Sequence, residues 1–135
     1  MAVQYNTALR TAMGQQLVDS LAGGDLKFFS GSVPANCAAA DPATTLATCP
    51  LPATAASVTS GVVSKSGTWT FTGQSGAGTG TDATVFRVYN AAAVCVEQGT
   101  VTVTGGGGDL TLDNANIADT QVGAIGPYTR TMPGA

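Results

Sequence analysis

The chain contains no histidine and a single glutamate, Glu97. Without an imidazole, Ser-His-Asp and Cys-His nucleophile systems, histidine-ligated zinc and histidine pH switches are excluded within it. Acid–base chemistry would have to run on Glu97 and the seven aspartates at 19, 25, 41, 82, 109, 113 and 119. Charge of either sign is scarce, at 10% of residues against about a quarter in ordinary domains. The five cations, Arg10, Lys27, Lys65, Arg87 and Arg130, are scattered, and a net charge of −3 repels a polyanion. No enzymatic activity, no cofactor and no nucleic-acid partner are therefore expected.

Three cysteines cannot complete a tetrahedral thiolate zinc site, and their odd number leaves at least one unpaired in a monomer, so no metal site is expected. The plain reading is that they are small buried hydrophobes. If the chain reaches oxidising surroundings, Cys37 and Cys49, which bracket a short Ala/Thr/Pro segment, are the candidates for a disulfide. Cys95 sits in the apolar run 91–96. No stretch approaches the roughly 20 apolar residues of a membrane span, and the start, MAVQYNTALRTAMGQQLV, lacks a basic region followed by an apolar core. Synthesis in a cytoplasm without a membrane partner is expected.

Small side chains are abundant. Alanine, threonine, glycine and serine occupy 68 of the 135 positions, while hydrophobic residues still reach 44%, enough to build a core in one domain of this length. Residues 7 to 22 carry the one helical pattern, with Leu9, Met13, Leu17 and Leu21 four apart, Arg10, Gln15, Gln16 and Asp19 on the wet side, Asn6 or Thr7 as cap, and Gly23 and Gly24 as stop. From Asp25 onward threonine, valine and aromatics replace helix formers, and turn residues recur about every ten positions. The organisation expected is an N-terminal helical segment, 1–24, joined to a β domain, 25–135, in one compact unit. Its fold class is mainly β, an antiparallel β-sandwich or jelly-roll-like domain with one N-terminal α-helix.

Strands are expected near 25–30, 44–49, 57–63, 67–72, 82–89, 94–97, 100–104, 109–113 and 121–131. Alternation in TWTFT (68–72) puts Trp69 and Phe71 on one face and threonines on the other. The run ATVFRVY (83–89) is apolar on both faces, so it is expected inside a sandwich or at a subunit contact. The segments 32–43, 73–81 and GGGG (105–108) are expected as loops. Of these, 73–81 has glycine spacing like a nucleotide cradle but lacks the lysine and following helix of a P-loop, and is taken as a flexible hairpin tip. The carboxylates Asp109, Asp113 and Asp119 could face calcium, yet the segment lacks the glycine and terminal glutamate of an EF-hand. The favoured expectation is Leu110, Leu112 and Ile117 pointing inward, with Asp113, Asn114 and Asn116 forming an Asx-type turn.

The order of motifs resembles a group of small proteins encoded by tailed bacteriophages. The segments ALRTAM, DLKFFSGSVPA, TTLATCPL, TWTFTG and TDATVFRVYN carry the likeness, and GDLTLDNANIADTQV (108–122) is its most specific part. The likeness spans roughly residues 5–132, departing at the 37–52 segment and the GGGG run. It implies a virion structural protein, a capsid decoration or cement protein whose partners are the major capsid protein and copies of itself. It carries over no catalytic residue. Low charge and abundant hydroxyls agree, because interface centres are depleted in charge. Loops 32–43 and 73–81 and the termini are expected to reach neighbours. The alternative is a receptor- or carbohydrate-binding module of a phage tail or fibre.

Overall fold

The computed structural model describes residues 3–135. A helix, α1 (Thr7–Leu21), leads into twelve strands: β1 (Asp25–Phe29), β2 (Ala47–Pro50), β3 (Ala56–Thr59), β4 (Val62–Lys65), β5 (Thr70–Gly73), β6 (Thr81–Asp82), β7 (Val85–Tyr89), β8 (Cys95–Val103), β9 (Leu110–Leu112), β10 (Asn116–Ile117), β11 (Val122–Ala124) and β12 (Thr129–Thr131). They form a seven-stranded sheet in the order β11-β5-β2-β1-β7-β8-β9, a three-stranded sheet β12-β4-β3, and a β10-β6 pair. The fold is mainly β, sandwich-like, with its one helix at the N-terminus.

The helix starts where expected. Asn6 Oδ1 accepts from the Leu9 amide at 2.7 Å, and Gly23 turns the chain away with φ of +68°. Its buried face differs from the expected stripe. Leu21 is fully enclosed, Leu17 and Val18 pack at the core margin, and Leu9 is 48% exposed. The face turned to the protein keeps Leu17 and Leu21 but begins with Arg10 and Gly14 in place of Leu9 and Met13, because the helix lies across the β3–β4 hairpin and only glycine fits at 14. A Cβ on Gly14 would meet Val58 Cγ2 at 2.6 Å. Arg10, assigned to the wet side by its charge, is buried and donates Nε and Nη2 to the Met132 carbonyl at 3.3 and 3.1 Å. Leu21→Asp is accordingly expected to lower stability by about 3 kcal/mol or more, and Leu9→Asp by less than about 0.5. Denaturant titration of the two variants checks the orientation; equal losses would refute it.

Several expected strands divide or merge for identifiable reasons. The segment 57–63 is two strands, since Ser60 and Gly61 both adopt positive φ, 49° and 76°, and make a two-residue hairpin turn of the primed kind. Conversely, 94–97 and 100–104 are one strand, β8. Gly99 does not break it but permits close approach, as a Cβ there would lie 2.8 Å from the Phe86 ring. The stretch 121–131 splits into β11 and β12, which join different sheets.

One pairing departs from the antiparallel expectation: β8 and β9 run parallel, with Val101 opposite Leu110 and Val103 opposite Leu112. A parallel connection ordinarily takes a dozen or more residues. Here segment 104–109 suffices because its glycines fold back over Thr102. Gly105 and Gly107 have positive φ, and Cβ atoms on Gly106 and Gly108 would lie 2.8 and 2.9 Å from Thr102 atoms. The Gly108 amide donates to Thr102 Oγ1 at 3.0 Å. The GGGG run is a crossover rather than a loose loop.

The core lies between the sheets. Trp69, Phe71, Phe28, Phe86, Val88, Leu110, Leu112, Ile117 and Tyr128 are all buried in it, as the alternation in β5 requires. Trp69 donates Nε1 to the Ala55 carbonyl at 3.1 Å and sits 4.9 Å from the Tyr128 ring. Leu110, Leu112 and Ile117 point inward, and Asn114 Oδ1 accepts from the Asn116 amide at 3.0 Å, the Asx turn expected there.

Candidate functional site

The apolar second face of β7 is covered from within the chain. Phe29, Val85 and Arg87 form a buried patch on the side of the sheet away from the main core, and loop 32–43 folds over it. Arg87 is 1% exposed and fastens the loop. Nη1 donates to Asp41 Oδ1 at 2.7 Å, and Nη2 to the carbonyls of Cys37 at 2.9 Å and Asn36 at 3.3 Å. Gln98, opposite Arg87 across β7–β8, donates to the Pro34 carbonyl at 2.7 Å. The Tyr89 hydroxyl also donates to Asp41.

A second polar network closes one end of the core. Arg130 donates Nε and Nη2 to Glu97 Oε1 at 3.0 and 2.8 Å, Tyr128 donates its hydroxyl to Oε2 at 2.8 Å, and the guanidinium lies 4.3 Å from the Tyr128 ring centre. Phe86, Gln98 and Asp109 join Glu97 and Arg130 around an open cleft of about 320 Å³. Another shallow cleft, of about 220 Å³, runs along β11 and is lined by Phe71, Leu112, Asp113 and 121–124.

The two networks and their neighbours engage every cation in the chain. Arg10 holds the Met132 carbonyl, Lys65 donates to the Ile125 carbonyl at 2.7 Å, Arg87 and Arg130 are ion-paired, and the Lys27 ammonium lies 5.1 Å from the Tyr89 ring centre. What remains outside is hydroxyl-rich and weakly acidic. Thr68, Thr70 and Thr72 face solvent on one strand region, as do Thr100 and Thr104 on another. Among the described residues, Val3, Tyr5, Leu9, Val94, Val103 and Val122 are the large apolar side chains left exposed.

The residues singled out from sequence are not brought together. Cys49 lies in the core opposite Leu26, whereas Cys37 sits against Arg87 on the other face of the sheet. All three cysteines are free thiols. Asp109 Oδ2 accepts from the Thr100 amide and hydroxyl, both at 3.0 Å, and Asp113 accepts from Thr104 at 3.1 Å. Among the described residues no three histidine, cysteine or acidic side chains converge as a metal site would need. Segment 73–81, expected as a free tip, is tied down: Ala77 is buried at the end of a short 3-10 turn, and the Asp119 amide donates to the Gly78 carbonyl at 2.9 Å. Sequence reasoning missed the Arg87–Asp41 and Arg130–Glu97 pairs. The one signal for the first was a lone cation inside an otherwise apolar strand.

These contacts shift titrations in predictable directions. The Thr100 backbone amide and then its hydroxyl hold the Asp109 carboxyl below its usual 3.8. Burial works to raise Asp41, but hydrogen bonds from Tyr89 and Arg87, with the charges of Arg87 and Lys27, together outweigh it and leave it lowered. A carboxylate depressed on folding contributes stability that is present above its unfolded value and lost as pH falls through the folded one. The melting temperature should therefore fall below about pH 4, and less steeply in a D41N/D109N variant. Burial, followed by the charge of Asp25, pushes the Cys49 thiol from 9.0 up to about 12. Its contribution is complete below pH 9 and lost as pH rises toward 12. Melting curves from pH 2 to 11 check both arms, and an unchanged acid slope in the double variant would contradict the first.

No protein-family model matches the chain, and no curated protein or solved structure matches it. Among the described residues no helix is long and apolar enough to cross a membrane.

Proposed function

We propose that this chain is a structural protein of a tailed-phage virion, a capsid decoration protein that bridges neighbouring major capsid subunits and copies of itself, without catalytic chemistry. The observation that carries the reading is the inward use of all five lysines and arginines, which leaves a surface of threonine, small residues, scattered valines and aspartates. Its threonine and small-residue stretches carry no charge to dehydrate against another protein, and the surface offers no positive patch to a polyanion. The unpaired outer edges of β9 and β11 add main-chain donors and acceptors for contact. Loop 32–43 is occupied in covering β7, so the contacts are assigned to the threonine faces, the sheet edges and the N-terminal segment around Val3 and Tyr5. Of the rings on which a sugar could stack, Trp69 and Tyr128 are enclosed and Tyr89 is half-buried, which leaves Tyr5 alone exposed among the described residues and weighs against a carbohydrate-binding tail module.

A decoration protein acts by burying on the order of 1,000 Å² or more per specific contact, repeated by symmetry so that modest single affinities suffice. Particles assembled without this chain are expected to lose infectivity on osmotic shock or mild heating that intact particles survive. Equal robustness combined with failure to adsorb to host cells would overturn the proposal in favour of a tail adhesin.

A further inference from the structure

Cys37 and Cys95 come from distant parts of the chain and meet at the margin of the loop-covered face. The Cys37 carbonyl is fixed on Arg87 Nη2 at 2.9 Å, and Cys95 opposes Tyr89 at the start of β8, immediately beyond the β-bulge that follows Val88. Arg87 and Tyr89 both hold Asp41 of the same loop, so Cys37 and Cys95 are positioned by one shared set of contacts. Both cysteines are half-buried; the Cys95 thiol donates to the Glu97 carbonyl at 3.5 Å and has the Cys37 thiol and the Arg87 guanidinium among its neighbours. Cys49, enclosed in the core on the opposite face, is separated from this pair by the sheet.

We propose that Cys37 and Cys95 form a disulfide when the protein meets an oxidising thiol–disulfide pool, a covalent clasp that locks loop 32–43 over the Arg87 face of the sheet. The oxidant is a small-molecule disulfide such as oxidised glutathione. One thiolate of the pair attacks a sulfur of that disulfide, making a mixed disulfide and expelling one glutathione thiolate. The second protein thiolate then attacks the protein sulfur of the mixed disulfide and expels the other. The protein loses two protons and two electrons, and one oxidised glutathione becomes two reduced ones. Burial raises the Cys95 thiol to about 11, so its thiolate is scarce at neutral pH and closure accelerates as pH rises toward that value. The clasp joins residues far apart in sequence, which restricts the unfolded chain strongly. It does not depend on a place in a virion.

The test is oxidation of the purified full chain with oxidised glutathione, followed by alkylation and non-reducing peptide mapping by mass spectrometry. The expected result is one intramolecular cross-linked species joining the Cys37 and Cys95 peptides, Cys49 remaining alkylatable after unfolding, and a melting temperature raised by roughly 10 °C. C49S should retain the cross-link and the shift, whereas C37S and C95S should lose both. A cross-link involving Cys49, cross-links only between molecules, glutathione adducts without closure, or three free thiols after oxidation would each overturn the proposal. Mapping of the unaltered chain decides the matter even if a serine variant fails to fold.

Discussion

Trp69→Ala is expected to destabilise the protein by about 4 kcal/mol, within the 3–5 kcal/mol typical of removing a large buried aromatic. The indole is fully enclosed, packs on Tyr128 at 4.9 Å, and anchors the start of the β3–β4 hairpin by donating to the Ala55 carbonyl. Its loss opens a cavity where the seven-stranded and three-stranded sheets meet and leaves that carbonyl without its indole donor. Trp69→Phe should retain most of the packing and lose the hydrogen bond, at about 1–2 kcal/mol. Chemical denaturation of both variants measures the two contributions. A loss below about 1 kcal/mol for the alanine variant would remove the indole from the core and with it the register of β5.

Asp41→Ala is expected to be nearly as damaging, at about 3 kcal/mol, although Asp41 itself is 43% exposed. The reason lies in its partner. The Arg87 side chain is 2% exposed, and without the carboxylate its charge would remain buried against carbonyl oxygens alone. Pairing the change with Arg87→Met removes that stranded charge while keeping an unbranched apolar side chain in its place. The double variant should therefore be more stable than Asp41→Ala alone. Losses that simply add would show that burial of the arginine charge is not what Asp41 offsets. In both cases loop 32–43 should become more susceptible to proteolysis, since its fastening to β7 is weakened.

The parts of the fold legible in the sequence were those governed by neighbours along the chain. Asn6 capping the helix, the alternation of Trp69 and Phe71 with threonines, and the Asx turn at Asn114 all depend on residues within a few positions of each other. Features that depend on packing between distant segments were not legible. Arg10 looked solvent-bound because it is charged, yet the β3–β4 turn and the C-terminal strand approach it closely enough to bury it. The GGGG run carried a local signal, permissive backbone, without revealing that it makes a compact parallel crossover. Cysteine spacing drew attention to Cys37 and Cys49 because they are close in sequence. The sheet separates them and leaves Cys37 on the Arg87 face, beside the strand pair that carries Cys95, a relation that only the pairing of β7 with β8 and the path of loop 32–43 reveal.

The same contrast applies to the surface. Composition showed little charge, but it could not show that the few cations present would all be turned toward the protein's own carbonyls, carboxylates and rings. That arrangement links the fold to the proposed role. It braces loop 32–43 and the end of the core from within, and leaves the threonine faces and sheet edges available to a neighbouring subunit.

Copy number on the particle tests that role most directly. On the proposed role, quantitative mass spectrometry of purified virions, calibrated on the major capsid protein, should find this chain in a fixed ratio to that protein, at copy numbers on the scale of the capsid lattice. A handful of copies per particle, or none, would contradict a decoration protein.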